Sequence, residues 1–228
     1  MTASPDEHEE AISDRPHTRV SPARTRRNPA LVQADILEVA TAEFAEKGLS
    51  GASVNEIAEK TQTTKRMIYY YFGGKEGLYT AVLERNYKLM RELEHEVDLE
   101  HAEPVDALRL IAQLTFDHHD THRAYVRLVS GENMMKGKYI RQSDEVAGLG
   151  MPVLAVLEDV LRRGQAAGVF RQDIEAIDVH MLINSVSLFR ISNQYTFDAL
   201  FQRDLAADDL RAHLRTVIGD VAVRYVCI

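Results

Sequence analysis

Residues 53–78, SVNEIAEKTQTTKRMIYYYFGGKEGL, decide the reading of this 228-residue chain. Ser53-Val54-Asn55-Glu56 has the form of a capping box, in which a serine hydroxyl and a glutamate three residues on satisfy orphan backbone donors at a helix start. It opens a short helix of about seven residues that ends near Lys60. Thr61-Gln62-Thr63 is a polar break, and Thr64 caps a second short helix over 65–71, which Gly73-Gly74 ends. A much longer helix starts at Lys75 and keeps an apolar stripe through Leu78, Val82, Leu89, Leu93 and Val97. Two short helices with a three-residue break between them have the geometry of a helix-turn-helix.

Toward the N-terminus, Asn28-Pro29 pairs an N-cap acceptor with a proline at the first helical position, where its missing N–H costs nothing. Ile36, Ala40 and Phe44 follow at four-residue intervals, and Gly48 takes the C′ position that closes the helix. Residues 1–27 hold almost no large apolar side chains and read as a flexible arm, with Arg15, Arg19, Arg24, Arg26 and Arg27 late in it. Toward the C-terminus every segment has helical period. Leu108, Ile111 and Leu114 share a helix beginning after Pro104. Tyr125, Leu128 and Val129 share the next, which Gly131 is expected to interrupt. A helix over 146–164 is expected to kink at Pro152, and the last two run over 174–193 and 209–225. No strand-period alternation and no internal repeat occur. The reading is all-α: an arm (1–27), a three-helix unit (28–74), and a helical domain (75–228) reached through the long helix.

Composition agrees, since Gly (12) and Pro (6) are scarce and 45% of residues are apolar. The single cysteine, Cys227, excludes a disulfide framework and a Cys-rich zinc site. The acidic opening MTASPDEHEE lacks the basic and apolar regions of a secretory signal. No uncharged apolar run reaches the ~18 residues of a membrane span, so a cytoplasmic chain without membrane contact is expected. The net charge of −8 hides an asymmetry: residues 1–14 carry five acids, 15–91 thirteen bases and eight acids, and 92–228 fourteen bases and twenty-two acids. A block at +5 permits an anionic partner for the N-terminal third alone. There is no Gly-x-Ser-x-Gly, P-loop, dinucleotide fingerprint or metal-hydrolase motif, so neither enzyme activity nor a cofactor is expected.

The second short helix carries the chemistry. On a helical wheel Met67, Ile68 and Phe72 turn inward, leaving Lys65, Arg66, Tyr69 and Tyr70 available beside Thr63 and Thr64. Hydroxyls and cations of this kind suit phosphate oxygens and major-groove base edges. Gly73-Gly74-Lys75 adds a helix start with a cation beside it, an arrangement that attracts anions. Here the chain resembles the tetracycline-repressor (TetR-type) family of helix-turn-helix regulators. The likeness rests on ILEVATAEFAEKGLSGASVNEIAEKT and TKRMIYYYFGGKEGLYTAVL, above all the run Ile68-Tyr69-Tyr70-Tyr71-Phe72-Gly73-Gly74-Lys75-Glu76-Gly77-Leu78. Ala40, Phe44, Gly48, Ile57 and Ala58 match core and turn positions. Thr61-Gln62-Thr63 departs from the family's Ala-Gly-Val turn, and Arg66 stands where a small residue is common.

The resemblance implies a homodimeric, effector-responsive regulator of a double-stranded DNA operator, most simply a repressor. A ligand-dependent activator and a helical interaction module without DNA contact stand as alternatives. By the same resemblance Thr64, Lys65, Arg66 and Tyr69 read or orient bases, with Thr63 beside them, while Tyr70, Tyr71, Lys75 and Ser53 hold phosphates. Arg26 and Arg27 are candidates for an adjacent groove on charge alone.

Two further groupings lie in the later helices. Val179, Leu182, Val186 and Phe189, with Leu210, Leu214, Val217 and Val221, make apolar faces that fit a two-fold bundle between subunits. His119, Arg127, Asn133, Met134, Tyr139, Asn184 and Arg190 are polar or adaptable groups amid apolar sequence, as a ligand cavity needs. An inward Arg127 or Arg190 would favour a carboxylate-bearing effector. His118 and His122 have the i, i+4 spacing of a metal pair. Without an HExxH pattern, and with Thr121 able to split them between helices, solvated residues at a helix junction are the preferred reading.

Overall fold

Asn28 caps the first helix, its Oδ1 accepting from the Ala30 N–H at 3.1 Å, with Pro29 at the first helical position. In the computed structural model, residues 28–94, 99, 101–149 and 151–228 are described, and of these 91–94 and 151–153 in backbone only. The arm over 1–27, Val97 and the side chain of Leu93 lie outside the described residues.

Helix α1 (Pro29–Gly51) buries Ile36, Ala40 and Phe44, as its spacing predicts. Gly48, at φ +66°, breaks its regular path, a conformation glycine adopts without a Cβ penalty. Ser53 caps α2 (Val54–Lys60), accepting from the Glu56 N–H at 3.4 Å. The return half of the expected capping box is replaced, because the Glu56 carboxylate pairs with Lys47 of α1. Thr64 caps α3 (Lys65–Phe72), accepting from the Met67 N–H at 3.3 Å, and Gly73 closes it at φ +75°. Along α4 (Lys75–Glu94) the buried row is Leu78, Val82, Asn86 and Met90; the expected Leu89 is exposed. Asn86 fits this row because its Nδ2 donates to the Val82 carbonyl at 2.8 Å and to Thr41 Oγ1 at 3.1 Å, tying α4 to α1.

The later helices are α5 (Pro104–Thr121), α6 (Arg123–Met134), α7 (Asp144–Ala147), α8 (Met151–Ala166), α9 (Ala176–Ser192), α10 (Gln194–Phe201) and α11 (Asp208–Val226), with a 3₁₀ turn at Ile140–Gln142. Gly131 does not interrupt α6. Pro152 does not kink a long helix, because the chain breaks after α7 and the proline lies in the first turn of α8, where its missing donor is tolerated. Helix α10, absent from the sequence reading, exposes Tyr195, Leu200 and Phe201.

One core lies under α1–α4 and includes Ile36, Phe44, Ile57, Ile68 and Leu78; Leu128 and Tyr139 join it from the later segment. Tyr79 stacks edge-on against Phe44 at 5.1 Å and against Tyr139 at 5.2 Å, so the two parts of the chain share a wall. The other core holds Leu108, Phe116, Leu157, Phe170, Ile183 and Ile218 from α5, α8, α9 and α11 and the turn after α8. Among the described residues there is no strand, only an antiparallel bridge between Phe170 and Cys227. No helix among them is long and apolar enough to cross a membrane.

Candidate nucleic-acid interface

The turn between α2 and α3 is held from within. Buried Thr61 donates its hydroxyl to the Ile57 carbonyl at 2.8 Å, and the Thr63 N–H reaches the Ala58 carbonyl at 3.0 Å. Gln62 sits at φ +50°, a left-handed conformation that glycine adopts without a Cβ penalty, at the position where the family usually has glycine.

Helix α3 is anchored by fully buried Ile68, with Met67 and Phe72 half-buried beside it. Opposite, Thr64, Lys65 and Arg66 are exposed, and Tyr69 and Tyr70 keep 47% and 78% of their surface open. Lys65 Nζ lies 5.8 Å from the Tyr69 ring centre, a cation–π contact that steers the ammonium along the helix. The other four candidates are more covered. Tyr71 is half-buried between Tyr70 and Phe72, Ser53 spends its hydroxyl on the α2 cap, and Thr63 is half-buried. Lys75 donates to the Ser50 carbonyl at 3.1 Å, with two further ammonium protons to offer.

A buried charge that sequence reasoning missed lies between α1 and α2. Glu43 is 1% exposed and takes Lys47 at 2.7 Å and Lys60 at 2.9 Å, stitching α1 to the end of α2. Burial pushes its carboxyl up, but the two ammonium groups outweigh that and hold it at about 2. The signal was present in Glu43 beside Phe44 on the Ile36/Ala40 face, with Lys47 one turn on.

In the later domain a cavity of about 90 Å³ opens between α4, α5, α6, α8 and α9, with Thr115, His118, His119, Tyr125, His180 and Asn184 as its polar lining. Of the seven expected pocket residues it receives two, His119 and Asn184. Arg190 is buried but turned away, its Nη1 on Asp120 and its Nε on the Leu205 carbonyl at 2.8 Å. Arg127 reaches the Tyr195 hydroxyl at 3.0 Å instead. Asn133 and Met134 are exposed at the end of α6, and Tyr139 belongs to the N-terminal core. Helical spacing could not tell which of two inward directions each residue takes.

His118 lies in the last turn of α5 and His122 is its C-cap. Thr121 stays within α5, donating to the Asp117 carbonyl at 2.6 Å, and the His122 ring nitrogen bonds the His118 carbonyl at 2.9 Å. Among the described residues no three His, Cys, Asp or Glu side chains gather as a metal site. Between these histidines and the last helix lies an ion network, also unforeseen. Asp120 takes Arg123 at 2.8 Å, Arg211 at 2.6 Å and Arg190; Asp117 takes Arg211 at 2.9 Å and Arg215 at 2.7 Å.

The apolar faces assigned to a subunit interface divide. Val179 and Leu210 are buried in their own subunit and cannot meet a second one. Leu182, Val186, Leu214 and Val217 are half-buried, while Phe189 and Val221 are open. On α9 the outward row is Ile177, Met181, Ser185 and Phe189, which shares only Phe189 with the row chosen by periodicity.

A helix-turn-helix with an exposed cationic, tyrosine-bearing second helix, set on a helical body with a cavity, defines a DNA-binding transcriptional regulator. The description "Bacterial regulatory proteins, tetR family" matches residues 36–82, and "Tetracyclin repressor-like, C-terminal domain" matches residues 104–222. The chain belongs to the TetR family. It is 33% identical over 190 residues to the HTH-type transcriptional repressor NicS of Pseudomonas putida, covering 83% of this chain and 90% of that protein. The HTH-type transcriptional repressor SCO4008 of Streptomyces coelicolor is 33% identical over 159 residues, 69% of this chain and 77% of that protein. Among solved structures, the regulator SCO4942 of Streptomyces coelicolor has a TM-score of 0.64 at 26% identity, covering 86% of this chain and 98% of that one. The ketosteroid transcriptional regulator KstR2 of Mycobacterium tuberculosis has a TM-score of 0.64 at 18% identity, covering 86% and 95%, a likeness of fold alone. The all-α, non-enzymatic reading holds.

Proposed function

We propose that the protein is a cytoplasmic transcriptional repressor that binds a near-palindromic operator as a homodimer and leaves it when a small molecule fills the α5–α9 cavity. The observation that carries this reading is the open face of α3: Thr64, Lys65, Arg66, Tyr69 and Tyr70 stand clear of the subunit while Ile68 anchors the helix behind them. Arg66 has the planar fork that reads guanine, and Thr64, Lys65 and Tyr69 orient bases beside it. Tyr70, Tyr71, Lys75 and Ser53 serve phosphates. The names of NicS and SCO4008 as repressors support the direction of control.

The dimer forms on the outward row of α9 together with Leu214, Val217 and Val221 of α11. Ligand occupancy reaches α4 through Tyr125, which lines the cavity and sits edge-on to Tyr87 of α4 at 5.2 Å. Release requires differential affinity of the two conformations, commonly ~1–3 kcal/mol of coupling. Selection of bound fragments from genomic DNA should return paired half-sites about one duplex turn, or a small multiple, apart. Unpaired half-sites would overturn the dimeric operator reading.

A further inference from the structure

We infer that the cavity takes a compact, uncharged molecule no larger than one ring, with an apolar body and a hydrogen-bonding edge; as a statement about the effector this rests on the reading above. Size comes first. A cavity of about 90 Å³ is smaller than the ~150 Å³ engineered cavity that holds benzene, so a single ring fits only as flexible Met90 on the wall gives way. A multi-ring nucleus does not fit this volume.

Charge follows from what turns away. The described lining contains no Lys, Arg, Asp or Glu. Asp117 and Asp120 flank His118 and His119 on α5, yet both carboxylates point out of the cavity to arginines of α6, α9 and α11. Arg190 and Arg127, the two cations that would have received a carboxylate, are engaged elsewhere. An anion entering here would give up its hydration without meeting a lysine or arginine in the described lining, and pairing with His118, His119 or His180 would first require an imidazole to be protonated, a cost that a neutral isostere avoids.

The polar edge is set by α9 and α5. Asn184 donates its Nδ2 to the His180 carbonyl at 2.8 Å, which leaves Oδ1 to accept from a ligand N–H or O–H. The Thr115 hydroxyl lies in the same lining. A neutral ring bearing an amide or a hydroxyl satisfies both requirements.

The test compares benzamide with its near-isostere benzoate by calorimetry on the full chain at neutral pH. Benzamide should bind at least tenfold more tightly than benzoate. Leu114→Phe, which fills the cavity, should abolish binding, and Asn184→Leu, checked for an unchanged melt, should weaken it about tenfold. Equal or tighter binding of benzoate, no binding of either probe, or displacement of benzamide by a four-ring sterol would overturn the inference. If benzamide binds as described while operator affinity is unmoved, the ligand class stands and the cavity's role as the effector site fails.

Discussion

Asp120→Asn is expected to cost the fold about 3 kcal/mol, and the magnitude follows from one partner. Asp120 receives Arg190, Arg211 and Arg123. Arg211 and Arg123 are each about a third exposed, and pairs of that kind contribute ~0–1 kcal/mol. Arg190 is 3% exposed, with its guanidinium 5.2 Å from the Phe116 ring centre, so removing its counter-charge leaves a buried cation. Breaking such a pair from one side costs ~3–5 kcal/mol, and the asparagine oxygen can still accept one bond, which favours the lower end. At ~2–4 °C per kcal/mol for a chain of this size, the melting temperature should drop by ~6–12 °C at matched protomer concentration. Burial pushes the Asp120 carboxyl up, but Arg190, Arg211 and Arg123 outweigh that and hold it at about 2. Its folded value lies below the ~3.9 of an unfolded aspartate, so its contribution is complete above that range and is lost as pH falls toward 2. Circular dichroism melts should therefore show the gap between wild type and variant narrowing on acidification. A gap under 2 °C at pH 7, or one that widens in acid, would refute the reasoning.

Phe189→Glu, on the outward row of α9, should yield monomers with poor operator binding in sedimentation, whereas a surviving dimer would place the interface elsewhere. Arg66→Ala should relax preference at one base position by ~1–3 kcal/mol, while Lys75→Ala weakens all sequences alike; quantitative binding to single-substitution operators separates the two. Gly164→Ala would set a Cβ about 2.0 Å from the Phe170 ring, and this overpacking should cost ~1–3 kcal/mol in a denaturant titration.

Where local chemistry sets the backbone, the sequence was readable. Asn28-Pro29, Gly48, Ser53, Thr64 and Gly73 each mark an end that a cap or a left-handed residue enforces over a few positions. The display of α3 was readable because Met67, Ile68 and Phe72 fall on one side of the helix and leave Lys65, Arg66, Tyr69 and Tyr70 on the other. What failed depended on partners far along the chain. Val179 and Phe189 are equally apolar on α9, and only the placement of α5, α8 and α11 around that helix decides which is covered. Arg190 suited a ligand carboxylate until Asp120, seventy residues earlier, claimed it. Glu43 went unread because one of its two lysines, Lys60, lies on a different helix.

The central claim is that the α3 face docks against a duplex. Anisotropy of labelled genomic fragments, titrated with the full chain between about 50 and 300 mM salt, tests it most directly. The account predicts a steep fall in affinity for the wild type and, because Lys65 and Arg66 face bases, a lower affinity for Lys65→Ala/Arg66→Ala at every salt concentration with the melt unchanged; Lys75→Ala, which removes two phosphate-facing cations per dimer at ~0.9 each, shallows the slope by up to ~1.8. Salt-independent binding, or wild-type affinity in the double variant, would contradict it.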